Sequence, residues 1–341
     1  MSAHVTAPWI AAQATQLLAQ RGHAWLLAGP SGLGQYNLAL ALAQAWLCTA
    51  PTQHGACGTC GSCHAIEVRT HADLCVLMPE TVMLALGWPL GEKAQSDIDD
   101  KKRKPSKEIR VDAMRDAVEF SQRTSARGGA KAVLVFPAER MNNITANALL
   151  KTLEEPPGDV KFVLATDAAH QLLPTIRSRC LGHSMCWPST EESLDWLQGQ
   201  GVPADQARVT LRAAGGRPED ALLYCQSGQA GGSFAATWVR LPKAMAQGDG
   251  SVLKDWTPAQ VVDALHKLCH DMLALKAGAS SRFFDASDLP PGGTLAALTV
   301  WSQALAATRR TVEHPFNAGL MLEALVAQAQ NALNSNNKSP L

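Results

Sequence analysis

The chain has 341 residues, 46% of them hydrophobic, and its 30 Lys and Arg are matched by 30 Asp and Glu. That length predicts two or three domains, and the apolar share excludes global disorder. Balanced charge excludes a chain-wide pull on nucleic acid, so any DNA contact must come from a local patch. Met1–Ile10 has no basic start and no long apolar core, so no signal peptide is expected. The longest apolar stretch, near Leu38–Leu47, is too short to cross a bilayer, and a cytoplasmic protein with no membrane partner is expected. The nine cysteines then point to reduced thiols or metal ligands, not to a disulfide framework.

In chain order, His23–Ala28 (HAWLLA) reads as a buried strand entering a glycine-rich loop, followed by a helix over Tyr36–Leu47. Cys48–Cys63 is rich in Cys and Gly and has little apolar periodicity. Asp73–Met78 reads as a second strand. Glu92–Lys107 is polar, carries the run Lys101-Lys102-Arg103-Lys104, and reads as an exposed loop whose charges are solvated, with contact of Lys101–Lys107 to DNA phosphates as the lesser reading. Arg110–Gln122 is amphipathic, with Val111, Met114 and Val118 on one face. Lys131–Phe136 is a third strand. A helix over Asn142–Glu155 starts at Asn142 or Asn143 and stops at Pro156-Pro157, and Lys161–Thr166 is a fourth strand. Strands alternating with helices predict a parallel sheet covered on both faces. After Pro188 the pattern becomes helical, with short helices over Ser189–Gln198, Pro203–Ala214 and Pro218–Gln226. From about Ser233 the chain reads as all helical up to a polar tail at Asn334–Leu341. The expected organisation is an α/β domain over 1–187, a small helical lid over 188–230, an all-helical domain over 231–333 and the tail over 334–341.

Gly29-Pro30-Ser31-Gly32-Leu33-Gly34 fills the frame G-x-x-x-x-G between a strand and a helix, which is the setting of a P-loop. That motif continues with Lys, to neutralise phosphate charge, and Ser or Thr, to hold Mg²⁺. Gln35 and Tyr36 stand there instead. A P-loop ATPase also needs acids at the end of its third strand. With Ala138 kept in frame, those positions are Phe136 and Pro137, and Glu139 lies beyond the proline as a poor substitute. Two motifs are damaged, so ATP hydrolysis by this chain is not expected. A plain glycine-rich turn that never met ATP is the competing reading.

Cys48, Cys57, Cys60 and Cys63 are spaced C-x8-C-x2-C-x2-C, with Gly58 and Gly61 permitting tight turns. Four thiolates complete a closed, structural Zn²⁺ site, and zinc would hold together a segment too poor in apolar residues to fold alone. His54 or His64 is an alternative fourth ligand. The rival is a redox pair, disfavoured by a third Cys in step and by no C-x-x-C reading as the start of a helix. Cys75, Cys180, Cys186, Cys225 and Cys269 read as ordinary small side chains.

Two stretches carry a family resemblance: Ala146-Asn147-Ala148-Leu149-Leu150-Lys151-Thr152-Leu153-Glu154-Glu155-Pro156-Pro157, and Leu173-Pro174-Thr175-Ile176-Arg177-Ser178-Arg179-Cys180. With the four-cysteine segment they resemble bacterial clamp-loader AAA+ subunits of DNA polymerase III over roughly residues 10–225. The departures at Gln35, Tyr36, Phe136 and Pro137 resemble the delta-prime type, not the gamma/tau motors. The resemblance implies an AAA+ sheet with an embedded zinc module, a lid and an oligomerising collar. It implies a role as a non-hydrolysing subunit in a heteropentamer with gamma/tau and delta subunits, loading a sliding clamp on primed DNA. By motif, Arg179 is similar to an arginine finger reaching a neighbour's ATP, framed by Ser178 and Cys180. Thr166 lies at the sensor-1 position and Arg217 near sensor-2, each with a structural role as the alternative. A bland ion pair between Arg179 and a surface carboxylate is the rival to the finger. At the level of the whole chain, the rivals are an active gamma/tau-type ATPase and a zinc-containing DNA-binding module.

Overall fold

The computed structural model describes residues 6–226, 233–312, 314 and 317–335. The chain divides into two compact units, Met1–Pro188 and Ser189–Leu341. The tail expected from Asn334 lies outside the described residues from position 336 onward.

The first unit runs α1 (Pro8–Leu18), β1 (Ala24–Ala28), α2 (Gln35–Leu47), α3 (Gly61–Glu67), β2 (Leu74–Leu77), α4 (Glu80–Ala85), α5 (Glu92–Asp99) and α6 (Val111–Gln122). It continues with β3 (Lys131–Val135), α7 (Asn143–Glu154), β4 (Val160–Thr166), α8 (Pro174–Arg177) and β5 (Leu181–Ser184). The five strands pair in the order β2-β3-β4-β1-β5, and every pairing is parallel. This is the expected α/β sheet. A parallel sheet must be covered on both sides, and the strand residues alternate accordingly. Val133, Val135, Phe162 and Leu164 pack with Met114, Ala117, Leu149 and Leu153 of α6 and α7, whereas Ala132 packs with Ala43 and Leu47 of α2. Asn142 caps α7 by accepting the Thr145 amide, so the first of the two expected start points is used.

The sheet's last strand was not legible. β5 is mostly exposed and its residues, Leu181-Gly182-His183-Ser184, form no apolar run. It is fixed from outside instead. The carboxamide oxygen of buried Gln13 on α1 accepts from His183 Nε2 and the Cys186 amide, each at 2.9 Å.

The expectation of an exposed loop over Glu92–Lys107 is corrected. Glu92–Asp99 is the helix α5, none of whose residues is fully buried, so no apolar period marks it. The run after it is anchored by Arg103, which donates to both carboxylate oxygens of Glu80 at 2.5 and 2.8 Å. Glu80 is buried and also accepts the Ser106 amide at 2.8 Å.

The second unit holds α9 (Thr190–Gly199), α10 (Ala204–Ala213), α11 (Pro218–Gln226), α12 (Phe234–Gln247), α13 (Pro258–Lys276), α14 (Leu295–Thr311) and α15 (Ala318–Leu333). Leu197, Ala207, Leu211 and Ala221 form a small apolar cluster in α9–α11, and a larger one joins α12–α15. The larger cluster is aromatic at its heart: Trp238 stacks on Phe284 at 4.5 Å, and Phe234 on Tyr224 at 4.4 Å. Asp271, fully buried, accepts the amides of Arg282, Phe283 and Phe284 at 2.7–2.9 Å, which closes the loop after α13.

Arg103 holds the Glu80 carboxyl below its ordinary range, so the pair stabilises the fold above that range and loses its effect as pH falls through the lowered value. The stability gap between wild type and Glu80→Gln should be constant above about pH 5 and shrink below about pH 4, as followed by urea denaturation across pH.

Candidate functional site

β1 delivers the chain to the P-loop. The Gly29 amide donates to Thr166 O at 3.3 Å, extending the ladder one step past the strand. Gly32 and Gly34 take φ of 78° and 93°, and Gly34 is the N-cap of α2. These left-handed positions favour glycine. The Trp9 indole donates to Leu33 O at 3.0 Å and holds the loop against α1.

The residue that should meet phosphate turns inward. Gln35 is buried, and its Nε2 lies 2.7 Å from Gly29 O, 2.8 Å from Pro30 O and 2.9 Å from Asp167 Oδ1. A carboxamide has two N–H donors, so three acceptors at this range saturate it. Tyr36 accepts a hydrogen bond from Trp88 Nε1 at 2.8 Å, and its ring lies 5.5 Å from that of Phe136. Burial pushes the phenol pKa up, which keeps it neutral. The positions that hold Mg²⁺ in an ATPase thus carry an aromatic pair. Glu139 does reach the strand ends, but its Oε2 accepts from Thr166 Oγ1 at 2.6 Å. Thr166 is fully buried, and its hydroxyl also accepts the Ala168 amide at 3.1 Å. Arg217, in the second unit, donates to Asp220 Oδ2 at 2.6 Å.

The four cysteines converge. Cys48 follows α2, Cys57 lies in the loop, Cys60 caps α3 and Cys63 sits in its first turn. Their sulfurs lie within 4.8 Å of one another, with separations of 3.5 Å for Cys48–Cys57 and Cys60–Cys63 and 4.0 Å for Cys57–Cys63. A tetrahedral zinc–thiolate site has sulfur–sulfur edges of about 3.8 Å, so the cluster fits such an ion. Hydrogen bonding, led by the Thr49 side chain, lowers the Cys60 thiol to about 5, whereas burial raises Cys63 to about 12. His54 and His64 are turned to Gln53 and Glu67 and stand outside the four. One argument against a redox pair fails, because Cys60-x-x-Cys63 does open a helix. The convergence of all four thiols carries the metal reading without it.

Polar contacts tie the module to the loops that lead into β2 and β3. Buried Ser62 Oγ lies 3.0 Å from Arg127 NH1 and 3.2 Å from His71 Nε2. Asp73 accepts from Ser125 Oγ and the amides of Ala126 and Arg127. Arg127 joins the two halves of this network, its side chain on Ser62 and its amide on Asp73.

Arg179 follows α8 and is partly exposed. Its Nε donates to Glu154 Oε1 at 2.7 Å, NH2 reaches the same oxygen, and NH1 donates to Thr175 O at 2.8 Å. Ser178 Oγ donates to Thr175 O at 3.2 Å. Cys180 packs against the sheet core, where burial raises its thiol to about 12. The motif therefore anchors through Cys180 and displays the arginine, and in this chain alone the guanidinium rests on Glu154. Asp167, Trp88 and Glu154 were not singled out from sequence. Asp167 had one available signal, its place at the carboxyl end of a strand, where ligands of α/β sheets gather.

The family described as DNA polymerase III, delta subunit, matches residues 11–185, just over half of the chain. The chain belongs to this family. The DNA polymerase III subunit delta' of Pseudomonas aeruginosa is 40% identical over 215 residues, 62% of this chain and 58% of that protein. The subunit delta' of Escherichia coli K12 is 34% identical over 225 residues, 64% and 60% of the two chains. Each match thus spans less than two thirds of the relative's length. The subunit tau of Escherichia coli K12 is 31% identical over 236 residues, 67% of this chain but 30% of that protein. The sequence kinship is with delta-prime subunits, and more distantly with tau.

Removing the Gln35 carboxamide leaves the Gly29 and Pro30 carbonyls without that donor. Gln35→Ala should destabilise the first unit by about 1–3 kcal/mol, measured as a lower urea midpoint with no change in metal content.

Proposed function

We propose that this chain is a non-hydrolysing, delta-prime-type subunit of a clamp loader. The observation that carries the reading is the Gln35 carboxamide, bonded to Gly29, Pro30 and Asp167 where a P-loop lysine would face phosphate. With Tyr36 and Phe136 in contact at the ion-binding positions, neither the charge nor the ligands for Mg²⁺–ATP are supplied. This also weighs against the gamma/tau motor reading.

Arg179 is then a finger for a neighbour's nucleotide. A guanidinium stays charged and offers planar donors to a γ-phosphate, and an exposed ion pair such as Arg179–Glu154 is weak enough to exchange. The partners proposed are gamma/tau motors and a delta subunit in a five-membered ring, acting on a sliding clamp and primed DNA. Residues 188–230 would form the lid and 231–333 the collar that joins the ring. Among the described residues no helix is long and apolar enough to cross a membrane, and we place the protein in the cytoplasm. Cys48, Cys57, Cys60 and Cys63 would hold Zn²⁺, which supplies cross-linking and no reaction chemistry.

Steady-state ATP hydrolysis by gamma/tau motors, with clamp and primed DNA, tests the reading. This chain alone should be inert, should raise the motors' rate, and should lose at least about tenfold of that effect on Arg179→Ala while still assembling. Hydrolysis by the chain alone would overturn the vacated-site reading, and an unaltered rate with Arg179→Ala would leave a scaffold without a finger. Metal analysis of purified protein should give zinc at roughly one per chain. Cys60→Ser should lower metal content and thermal stability together, and a metal-free wild type of equal stability would sink the zinc assignment.

A further inference from the structure

The segment Pro79–Ser106 connects β2 to the run that leads into α6, and nothing in the proposed function uses it. Two sets of contacts hold it. At its neck, buried Glu80 binds Arg103 through both carboxylate oxygens and takes the Ser106 amide, while the Thr81 amide donates to Ser106 O at 3.2 Å. The two ends of the segment are thereby closed on each other.

At its far point, Trp88 is buried and its indole N–H donates to the Tyr36 hydroxyl at 2.8 Å. Tyr36 is the second residue of α2 and holds the P-loop's hydroxyl position. Its other side meets Phe136, at the first of the two missing acid positions. Arg69 lies over the Trp88 ring, with its guanidinium carbon 5.6 Å from the centroid. Gly87, at φ +70°, makes room for it: a Cβ there would come within 3.1 Å of Arg69 NH1. Arg69, Trp88, Tyr36 and Phe136 thus form a continuous series of contacts from the end of the four-cysteine module to the end of β3.

We propose that Pro79–Ser106 is a clasp fastened by Trp88 to Tyr36, which holds the P-loop and the first turn of α2 in one conformation with no nucleotide present. In an ATPase the hydroxyl at this position is ordered by Mg²⁺–nucleotide. Here the same backbone is ordered by an indole, an aromatic neighbour and, one residue earlier, the Gln35 carboxamide. The coupling runs both ways: whatever frees the P-loop frees the segment, and the reverse. The proposal rests on reading the P-loop as vacated.

Amide hydrogen exchange on the full chain tests it, in wild type, Tyr36→Phe and Trp88→Phe. Both substitutions keep an aromatic ring and remove one partner of the hydrogen bond. Tyr36→Phe should speed exchange over residues 82–90, and Trp88→Phe should speed it over residues 31–38, each about three- to tenfold. Exchange over residues 57–67 should not change. A response confined to the neighbourhood of each substitution overturns the clasp, and so does a uniform rise across the first unit, which would mark general destabilisation without a specific link. Adding Mg²⁺–ATP to wild type separates the two readings. Slower exchange over residues 31–38 would sink the vacated site, whereas the cross-response to the two substitutions judges the clasp alone.

Discussion

The parallel register of β1 between β4 and β5 is the constraint on which the site depends. Ala28 lies opposite Thr166 on one side and Ser184 on the other, and Val135 of β3 lies opposite Leu164. That register brings Gly29, Phe136 and Thr166–Asp167 to one edge of the sheet. A slip of one residue would turn every strand side chain to the wrong face, and both apolar layers fix it against such a slip. The site is therefore a by-product of the core. Its residues converge whether or not they can do chemistry, and the P-loop backbone is formed with Gln35 and Tyr36 where the motif has Lys and Ser or Thr.

Hydrogen bonds within the chain hold the loop and the strand ends beside it. A P-loop with its glycines in left-handed turns exposes backbone polar groups that need partners. In an ATPase anions accept from the loop's N–H groups; here the Gln35 carboxamide donates to two of the loop's carbonyls, Gly29 O and Pro30 O. Glu139 and Thr166 satisfy each other. The four-cysteine module has few apolar residues, and converging thiols and the contacts of Ser62 with Arg127 and His71, in the loops before β3 and β2, compensate for them.

Much of this was legible in the sequence, because buried strands advertise themselves. HAWLLA, KAVLVF and KFVLAT are apolar runs bounded by turn residues, and each is a strand of the sheet. The missing lysine and acids were readable from motif spacing alone, as were the four cysteines. What escaped lacked a strong apolar signature: β5 is exposed, and α5 has only Ala94 and Ile98 among its polar residues. Side-chain destinations also escaped. Spacing cannot say that Gln35 folds back on its own loop, that Cys60 begins a helix, or that Trp88 reaches Tyr36 across 52 positions. Such pairings are set by the tertiary path, not by any local pattern.

The Asp271 carboxylate has a consequence for how this protein can diverge. It gathers three consecutive backbone amides, those of Arg282, Phe283 and Phe284. Backbone N–H groups are the same whatever side chain follows them. Apart from Gly278, whose φ of +77° favours glycine, and Ser281, which Arg212 contacts, the turn between Ala277 and Ser281 has latitude in composition and in length, at modest entropic cost, so long as three amides still arrive at one buried oxygen pair. Substitutions tolerated there should be many, while those tolerated at position 271 should be few. A single acidic side chain thus separates a stretch where evolution has latitude from a position where it has almost none.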